Sequence, residues 1–137
     1  MDLSEARKFL AAHHNAVLAT RKRDGGLQMS PVTVGVDDSG RAIVSSRETA
    51  YKSRNLRRDP RASLCVFADS FHGSVWIQIN GPAEIVSLPE AMEPLVDFQR
   101  RVKGGHPDWD EYRRTMERQG RVIIRVAIES VGPDRRG

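Results

Sequence analysis

The feature that most constrains this chain is Asp24-Gly25, set between two apolar runs. A type I′ turn needs residues that tolerate positive φ, and this pair folds its flanks back on each other as a hairpin. The run before it, Ala16-Val17-Leu18-Ala19-Thr20, has strand length. The run after it, Leu27 to Val36, alternates Val32, Val34 and Val36 with Thr33 and Gly35, a period of two. Asp37-Asp38-Ser39-Gly40 turns the chain again into Ala42-Ile43-Val44-Ser45, so the first half reads as a β-meander. Ala62 to Phe67, Ser74 to Val86 and Val122 to Ile128 supply three more strands. Asn80-Gly81-Pro82 inside the fifth is either a tight turn or a bulge bending one long strand around a barrel corner. Short antiparallel connections predict a six-stranded barrel, because closure removes exposed edges.

Helical patterns lie around these strands. Ser4 is the expected N-cap of a first helix with Ala6, Phe9 and Leu10 on one face, ending at His13-His14-Asn15. Thr49 to Pro60 reads as a short helix capped by Thr49 and stopped by Pro60, which pushes Asp59 out of the helical region. Leu88 to Val102 is helical with Pro89 in its first turn. Asp108 caps a further helix to about Arg118, with Trp109, Tyr112 and Met116 on one face, and Gly120 resets the chain. The tail from Pro133 is expected to fray.

A length of 137 residues with 39% hydrophobic and 29% charged side chains suits one globular domain, residues 1–137. No run reaches the roughly 18 apolar residues of a membrane span, and the charged N-terminus does not read as a signal peptide, so the cytoplasm is the expected compartment. Cys65 is the sole cysteine, which excludes an intramolecular disulfide framework and every multi-cysteine metal site; mid-strand, it reads as a small core residue. The histidines show no ligand spacing, so no metal site is expected. The excess of 22 basic over 18 acidic residues suits an anionic partner: nucleic acid, a phosphorylated cofactor or acidic lipid.

The position of the charge narrows that choice. With Thr49 as N-cap, Lys52 is the third helical residue, where a cation opposes the helix dipole unless something negative sits nearby. The same turn offers unpaired backbone N–H groups, so ammonium and backbone together make a plausible phosphate cradle. Asn55 is three residues on and shares a face with Lys52, and Ser45 and Ser46 end the preceding strand in the same neighbourhood. A solvated basic surface of Lys52, Arg54, Arg57, Arg58 and Arg61 is the competing reading. Nucleic acid ranks lower, since Tyr51 is the sole aromatic near the run. Trp76, Gln78 and Asn80 alternate onto one face of the fifth strand, with Trp76 read as core.

Ala16–Thr20, Gln28-Met29-Ser30-Pro31-Val32, Ile43–Ser45 and above all Lys52-Ser53-Arg54-Asn55-Leu56-Arg57-Arg58-Asp59-Pro60-Arg61-Ala62-Ser63 resemble the split-barrel flavin-binding family. That family includes pyridoxamine-phosphate oxidases and the actinobacterial oxidoreductases using the deazaflavin coenzyme F420. The basic motif is similar to the F420-using branch often called FDOR-B, as are His106–Arg113 and Arg121–Ile124. The resemblance implies a mainly β, six-stranded antiparallel split barrel with peripheral helices, and a homodimer with cofactor between the barrels. It implies that Lys52 and Asn55 hold the phosphate, and that Gln28, Ser30 and Val32 border the ring. Val44, Ser45 and Ser46 would continue that wall, and Trp76, Ile77 and Gln78 of the other subunit would close it, with Arg121 a further contact. Arg54, Arg57 and Arg58 would suit the glutamate tail of F420 better than the single phosphate of FMN.

The activity so implied is hydride transfer between F420 and a small electron-poor organic acceptor, the protein orienting and polarising. No proton donor is assigned. An FMN-dependent enzyme on the same fold and a non-catalytic carrier are the alternatives. The sequence runs little past the sixth strand, without the C-terminal arginine and histidine segment of true pyridoxamine-phosphate oxidases, and that activity is not expected. Tyr51, directly before Lys52, is expected to narrow the pocket mouth.

Overall fold

The computed structural model describes residues 1–69 and 75–136. β1 (Asn15–Arg21) and β2 (Leu27–Val36) form the first hairpin, Ala16 opposite Val32 and Thr20 opposite Gln28. Its loop is wider than a two-residue turn. Gly25 N–H bonds to Lys22 O (3.0 Å) and Lys22 N–H to Gly26 O (2.8 Å), and within the loop Gly25 takes φ +86° while Asp24 stays at negative φ. The result is a three-residue loop closed by a left-handed glycine rather than a type I′ turn.

β3 (Ala42–Arg47) pairs with β2 only between residues 34–36 and 42–44, and along its whole length with β6 (Arg121–Val126). β4 (Arg61–Phe67) lies between β1 and β5 (Val75–Val86). β5 is one long strand: residues up to Pro82 pair with β4, and Ala83–Val86 pair with β6. Gly81 sits at the switch, where a Cβ would collide with the carbonyl oxygen of Ala127. The glycine therefore marks a barrel corner rather than a turn. The order β4-β1-β2-β3-β6-β5, closed by β4 on β5, makes a six-stranded antiparallel barrel.

The tail does not fray. Ser130–Arg136 forms a seventh strand, β7, on the edge of β5, with Ile79 opposite Val131 and Asn80 opposite Ser130. Strand β6 ends at Val126, two residues earlier than its apolar run, because Ala127 crosses the Gly81 corner. Ser74 and His72 lie outside the described residues.

Among the described residues four helices accompany the strands. α1 (Leu3–Ala12) is capped by Asp2 rather than Ser4. Asp2 Oδ1 accepts from Glu5 N–H (2.8 Å), and Glu5 returns the bond to Asp2 N–H (3.3 Å), a reciprocal arrangement Ser4 cannot make with its neighbours. α2 (Tyr51–Arg58) begins after Ala50, with no side-chain cap, and ends at extended Asp59 before Pro60. α3 (Met92–Lys103) starts later than its apolar pattern. Pro94 lacks an N–H and is accommodated only within a first turn, which sets the start close before it. α4 (Trp109–Gln119) is capped by Asp108 and closed by left-handed Gly120.

Two apolar cores result. Leu10, Leu18, Val34, Val44, Leu64, Ile77 and Ile79 help fill the barrel. Ile43 and Ile123, on the outer face of β3 and β6, pack against Leu95, Val96, Phe98, Tyr112 and Met116 of α3 and α4. Parity along the strands decides which side each residue serves. Cys65 therefore points outward and is exposed, not part of the core. Trp76 is half-buried on the same outer side, while Ile77 between it and Gln78 is fully buried. Among the described residues no helix is long and apolar enough to cross a membrane.

Candidate functional site

The partial pairing of β2 creates the site. Val34 N–H bonds back toward β1, to His14 O (2.9 Å). Alternation then turns the main-chain groups of residues 29, 31 and 33 toward β3, which they do not meet because pairing with β3 starts at Val34. Pro31 fits there because its missing N–H lies on the open edge. A split remains between this edge and the end of β3, and α2, α3 and α4 surround it. The resulting cleft of about 360 Å³ is lined by Pro31–Thr33, Ser45, Lys52 and Arg121 on one side. Phe98, Gln99, Lys103, Tyr112 and Met116 line the other.

Its electrostatics are one-sided. Arg121 stands directly opposite Arg47 in the β3–β6 register, a like-charge pair that opposes pairing. Burial, helped by the Arg121 charge, holds the Lys52 ammonium below its ordinary range. Burial and then the charge of Arg47 do the same to Arg121, whose Nε–H donates to the neutral Gln119 Oε1 (2.8 Å). Among the described residues no carboxylate forms an ion pair with Lys52, Arg47 or Arg121. Lys52 is the second helical residue of α2, not the third, because Ala50 takes the N-cap position. The first turn of α2 thus keeps its donors free of any side-chain cap beside that ammonium. Lys52 and Arg121, with exposed Arg47 opposite Arg121 and an uncapped helix start, and with no neutralising acid among the described residues, suit an oxyanion.

Apolar surface flanks this charge: Val32, Phe98, Met116 and the Tyr112 ring. The Tyr112 hydroxyl is spent on Leu95 O (2.8 Å), and burial pushes its pKa up, so it serves as a wall rather than an acid. On β2, Ser30 Oγ is buried with no hydrogen-bond partner among the described residues. A polar group of a bound ligand would satisfy such a hydroxyl. Together these residues fit a ligand that is anionic at one end, flat and apolar in the middle, and polar along an edge.

The residues expected at the site divide accordingly. Val32, Ser45, Lys52 and Arg121 line one cleft, and Gln28 and Ser30 continue the row of Val32 along β2. Ser46 does not join Ser45. Neighbours on a strand face opposite ways, and Ser46 is buried against Ser53 Oγ (3.2 Å). Val44 is fully buried in the barrel, so its side chain touches no ligand. Asn55 is buried with its amide engaged elsewhere: Nδ2 donates to Thr20 Oγ1 (3.1 Å) and Oδ1 accepts from Arg58 (3.1 Å). Arg57 is clamped by Glu48 (2.6 and 2.9 Å), and Arg58 also donates to Arg21 O (2.7 Å). Arg54 is exposed on the outer side of α2. Trp76 and Gln78 face the outer side of the barrel, away from this cleft, and Ile77 faces the core. Tyr51 is 74% exposed and does not line the cleft.

Sequence reasoning missed Lys103, Phe98 and Tyr112 as cleft residues, and Arg47 as the neighbour of Arg121. Only Tyr112 and Phe98 carried a signal, their place on the apolar faces of two helices. A second surface was also missed. Val17, Ala19, Leu27, Met29 and Cys65 line a groove of about 610 Å³ on the outer face of the hairpin and β4, with Met29 63% exposed. Among the described residues no group of three or more His, Cys, Asp or Glu is placed to hold a metal ion.

Solved structures share this architecture. A conserved hypothetical protein of Mycobacterium tuberculosis superposes with a TM-score of 0.77 at 27% identity, over 96% of this chain and 82% of that one. A protein described as an F420 reductase gives 0.69 at 20%, over 92% and 94%. The heme storage protein HutZ of Vibrio cholerae gives 0.71 at 19%, over 100% and 98%. For the last two the likeness is one of fold. The match to the pyridoxamine 5'-phosphate oxidase family runs from residue 3 to 133. With its split barrel and nearly its whole length matched, this chain belongs to the pyridoxamine 5'-phosphate oxidase family.

Proposed function

We propose that this protein is an F420-dependent oxidoreductase of the FDOR-B branch, acting as a reductase on a small electron-poor organic acceptor. The observation that carries this reading is the half-buried pair Lys52 and Arg121 in the cleft at the open edge of β2, with exposed Arg47 opposite Arg121 and no carboxylate paired to any of the three among the described residues. Lys52 and Arg121 would hold the phosphodiester with the free N–H groups of the α2 first turn. Val32, Phe98, Met116 and Tyr112 would exclude water from the ring. The main-chain groups of residues 29, 31 and 33 would meet its polar edge and stabilise charge there. Lys103 at the rim and exposed Arg54 would receive the tail carboxylates, a surplus of positive charge beyond what one FMN phosphate needs. F420, when bound, supplies the hydride donor and acceptor carbon.

The working unit in this reading is a homodimer. Apolar Leu27 and Met29 stand exposed beside Val17 and Cys65 on the outer barrel face, a surface a monomer leaves in water at a loss. Trp76 and Gln78, on that same side, would then reach the partner's cleft. Reading the family fold as an enzyme rather than a carrier is part of the proposal.

Titration with F420, FMN and hemin tests it. F420 binds most tightly, and its reduced form is then oxidised in the presence of protein and a panel of enones or quinones. Preference for FMN or hemin overturns the cofactor assignment. Tight F420 binding with no turnover of any acceptor overturns the enzyme.

A further inference from the structure

Asn55 sits in a chain of hydrogen bonds whose direction is set at one end. Arg58 can only donate, so the Asn55 atom it meets at 3.1 Å is the carbonyl oxygen. The amide nitrogen of Asn55 is then the group facing Thr20 Oγ1, and it donates across 3.1 Å. With its oxygen accepting, the Thr20 hydroxyl has its own hydrogen left, and that hydrogen points to Gln28 Oε1 at 3.4 Å, the longest link. Thr20 is 1% exposed and Asn55 7%, so water does not compete for these positions. Gln28 Oε1 is thereby turned toward Thr20, and Nε2 is the end that points away from it.

Among the described residues the Gln28 side chain bonds through Oε1 and not through Nε2, while Ser30 Oγ, two residues along the same face, is buried without a partner. Val32, the next residue on that face, already lines the Lys52 cleft. We propose that Asn55 is a positioning residue: with Thr20, and with Arg58 as its fixed end, it polarises Gln28 so that this side chain offers only donors to a ligand. Gln28 and Ser30 are then the contacts that select a ligand edge bearing carbonyl-type acceptors. Asn55 itself binds no phosphate; its place near Lys52 in sequence reflects the helix period rather than a shared ligand. This rests on the reading of the split as the cofactor cleft.

The test reverses the polarity. Asp at position 55 accepts from both Arg58 and Thr20, so N55D draws the Thr20 hydrogen away from Gln28. Q28E removes the amide donors directly, T20V breaks the chain, and T20S keeps it. Each of N55D, Q28E and T20V weakens F420 binding about tenfold or more, as loss of a hydrogen bond to a buried polar ligand group does. T20S binds as the parent does. The N55D and Q28E double variant is no worse than either single, since both act through the same Gln28 contact. Additive losses, or parental affinity in N55D, overturn the relay.

A ligand-free readout separates this from the cofactor assignment. The side-chain amide resonances of Gln28 in labelled protein shift in N55D and T20V and stay in place in T20S. If the parent binds neither F420 nor FMN, the cleft assignment fails while this readout still decides the relay. Unshifted Gln28 resonances in T20V sink the relay whatever the ligand proves to be.

Discussion

Two clefts flank the β3–β6 pair, and they treat charge in opposite ways. One, of about 200 Å³, is lined by Asp37, Asp38, Arg41, Glu93, Asp97 and Arg125. Every charge there has a partner. Arg41 meets Asp37 at 2.9 Å, Arg101 reaches both Asp97 (2.7 Å) and Asp38 (2.6 Å), Arg113 meets Glu93 (2.8 Å), and Arg125 meets Glu84 (3.2 Å). Asp38 and Asp97 hold the Arg101 guanidinium above its ordinary pKa. In the other cleft Lys52 and Arg121 are pushed below theirs. The same fold thus shows a surface that neutralises itself and one whose cations have no acidic partner among the described residues. A lowered pKa on a cation is free energy stored against its charged form, and an anionic ligand is what releases it.

The largest effect that sharpens this contrast is expected from K52A. Loss of one charged hydrogen-bond donor weakens F420 binding roughly 10–100-fold, while the melting temperature stays level or rises. Calorimetric titration and thermal melts of the same preparation check both halves. A drop in stability with unchanged affinity would place Lys52 among ordinary structural lysines. In the balanced cleft R101A is expected to do the reverse. It removes ties to Asp38, Asp97 and Val36 O and destabilises by about 1–2 kcal/mol, a few degrees of melting temperature, with ligand affinity untouched.

A smaller change is expected from R121Q. Relief of the pairing with Arg47 raises the ligand-free stability by about a few tenths of a kcal/mol, and the lost charge weakens F420 binding. The smallest effect is in pH. A lysine easier to deprotonate folded than unfolded opposes folding while it is charged. Stability from this group therefore rises as pH climbs through the lowered Lys52 pKa toward the ordinary 10.5. Tyr112, with its pKa raised by burial, works the other way above its ordinary 10.0, so the Lys52 contribution is read as the difference between parent and K52M. At the acid end Glu48, lowered mainly by its hydrogen bond from Arg57, contributes stability above its ordinary 4.5 that is lost as pH falls through the lowered value.

Much of the barrel was legible because period-two apolar runs and turn residues are local signals. Val32, Val34 and Val36, Asp24-Gly25 and Pro60 each act within a few residues of themselves. The site was legible in part for the same reason: Lys52 near a helix start against the dipole is a local anomaly. What could not be read depends on partners distant in the chain. Arg47 meets Arg121 only through the β3–β6 register. Whether Ser45 or Ser46 faces the cleft, and whether Cys65 faces core or solvent, is a matter of parity that one bulge reverses. Strand β7 carries no apolar alternation in Ser130-Val131-Gly132-Pro133, and pairs through its backbone to an edge that β5 provides. Helical spacing pairs Asn55 with Lys52, yet Thr20 of β1 takes its amide hydrogen bond.

The central claim is that the cation cluster exists for an anionic ligand, and the Lys52 ammonium reports on it directly. An NMR titration of its Nζ or attached methylene in the free protein should give a pKa below the ordinary 10.5, and saturation with F420 should drive that pKa upward. A Lys52 pKa that is ordinary in the free protein, or that stays where it was when the ligand binds, would contradict the account.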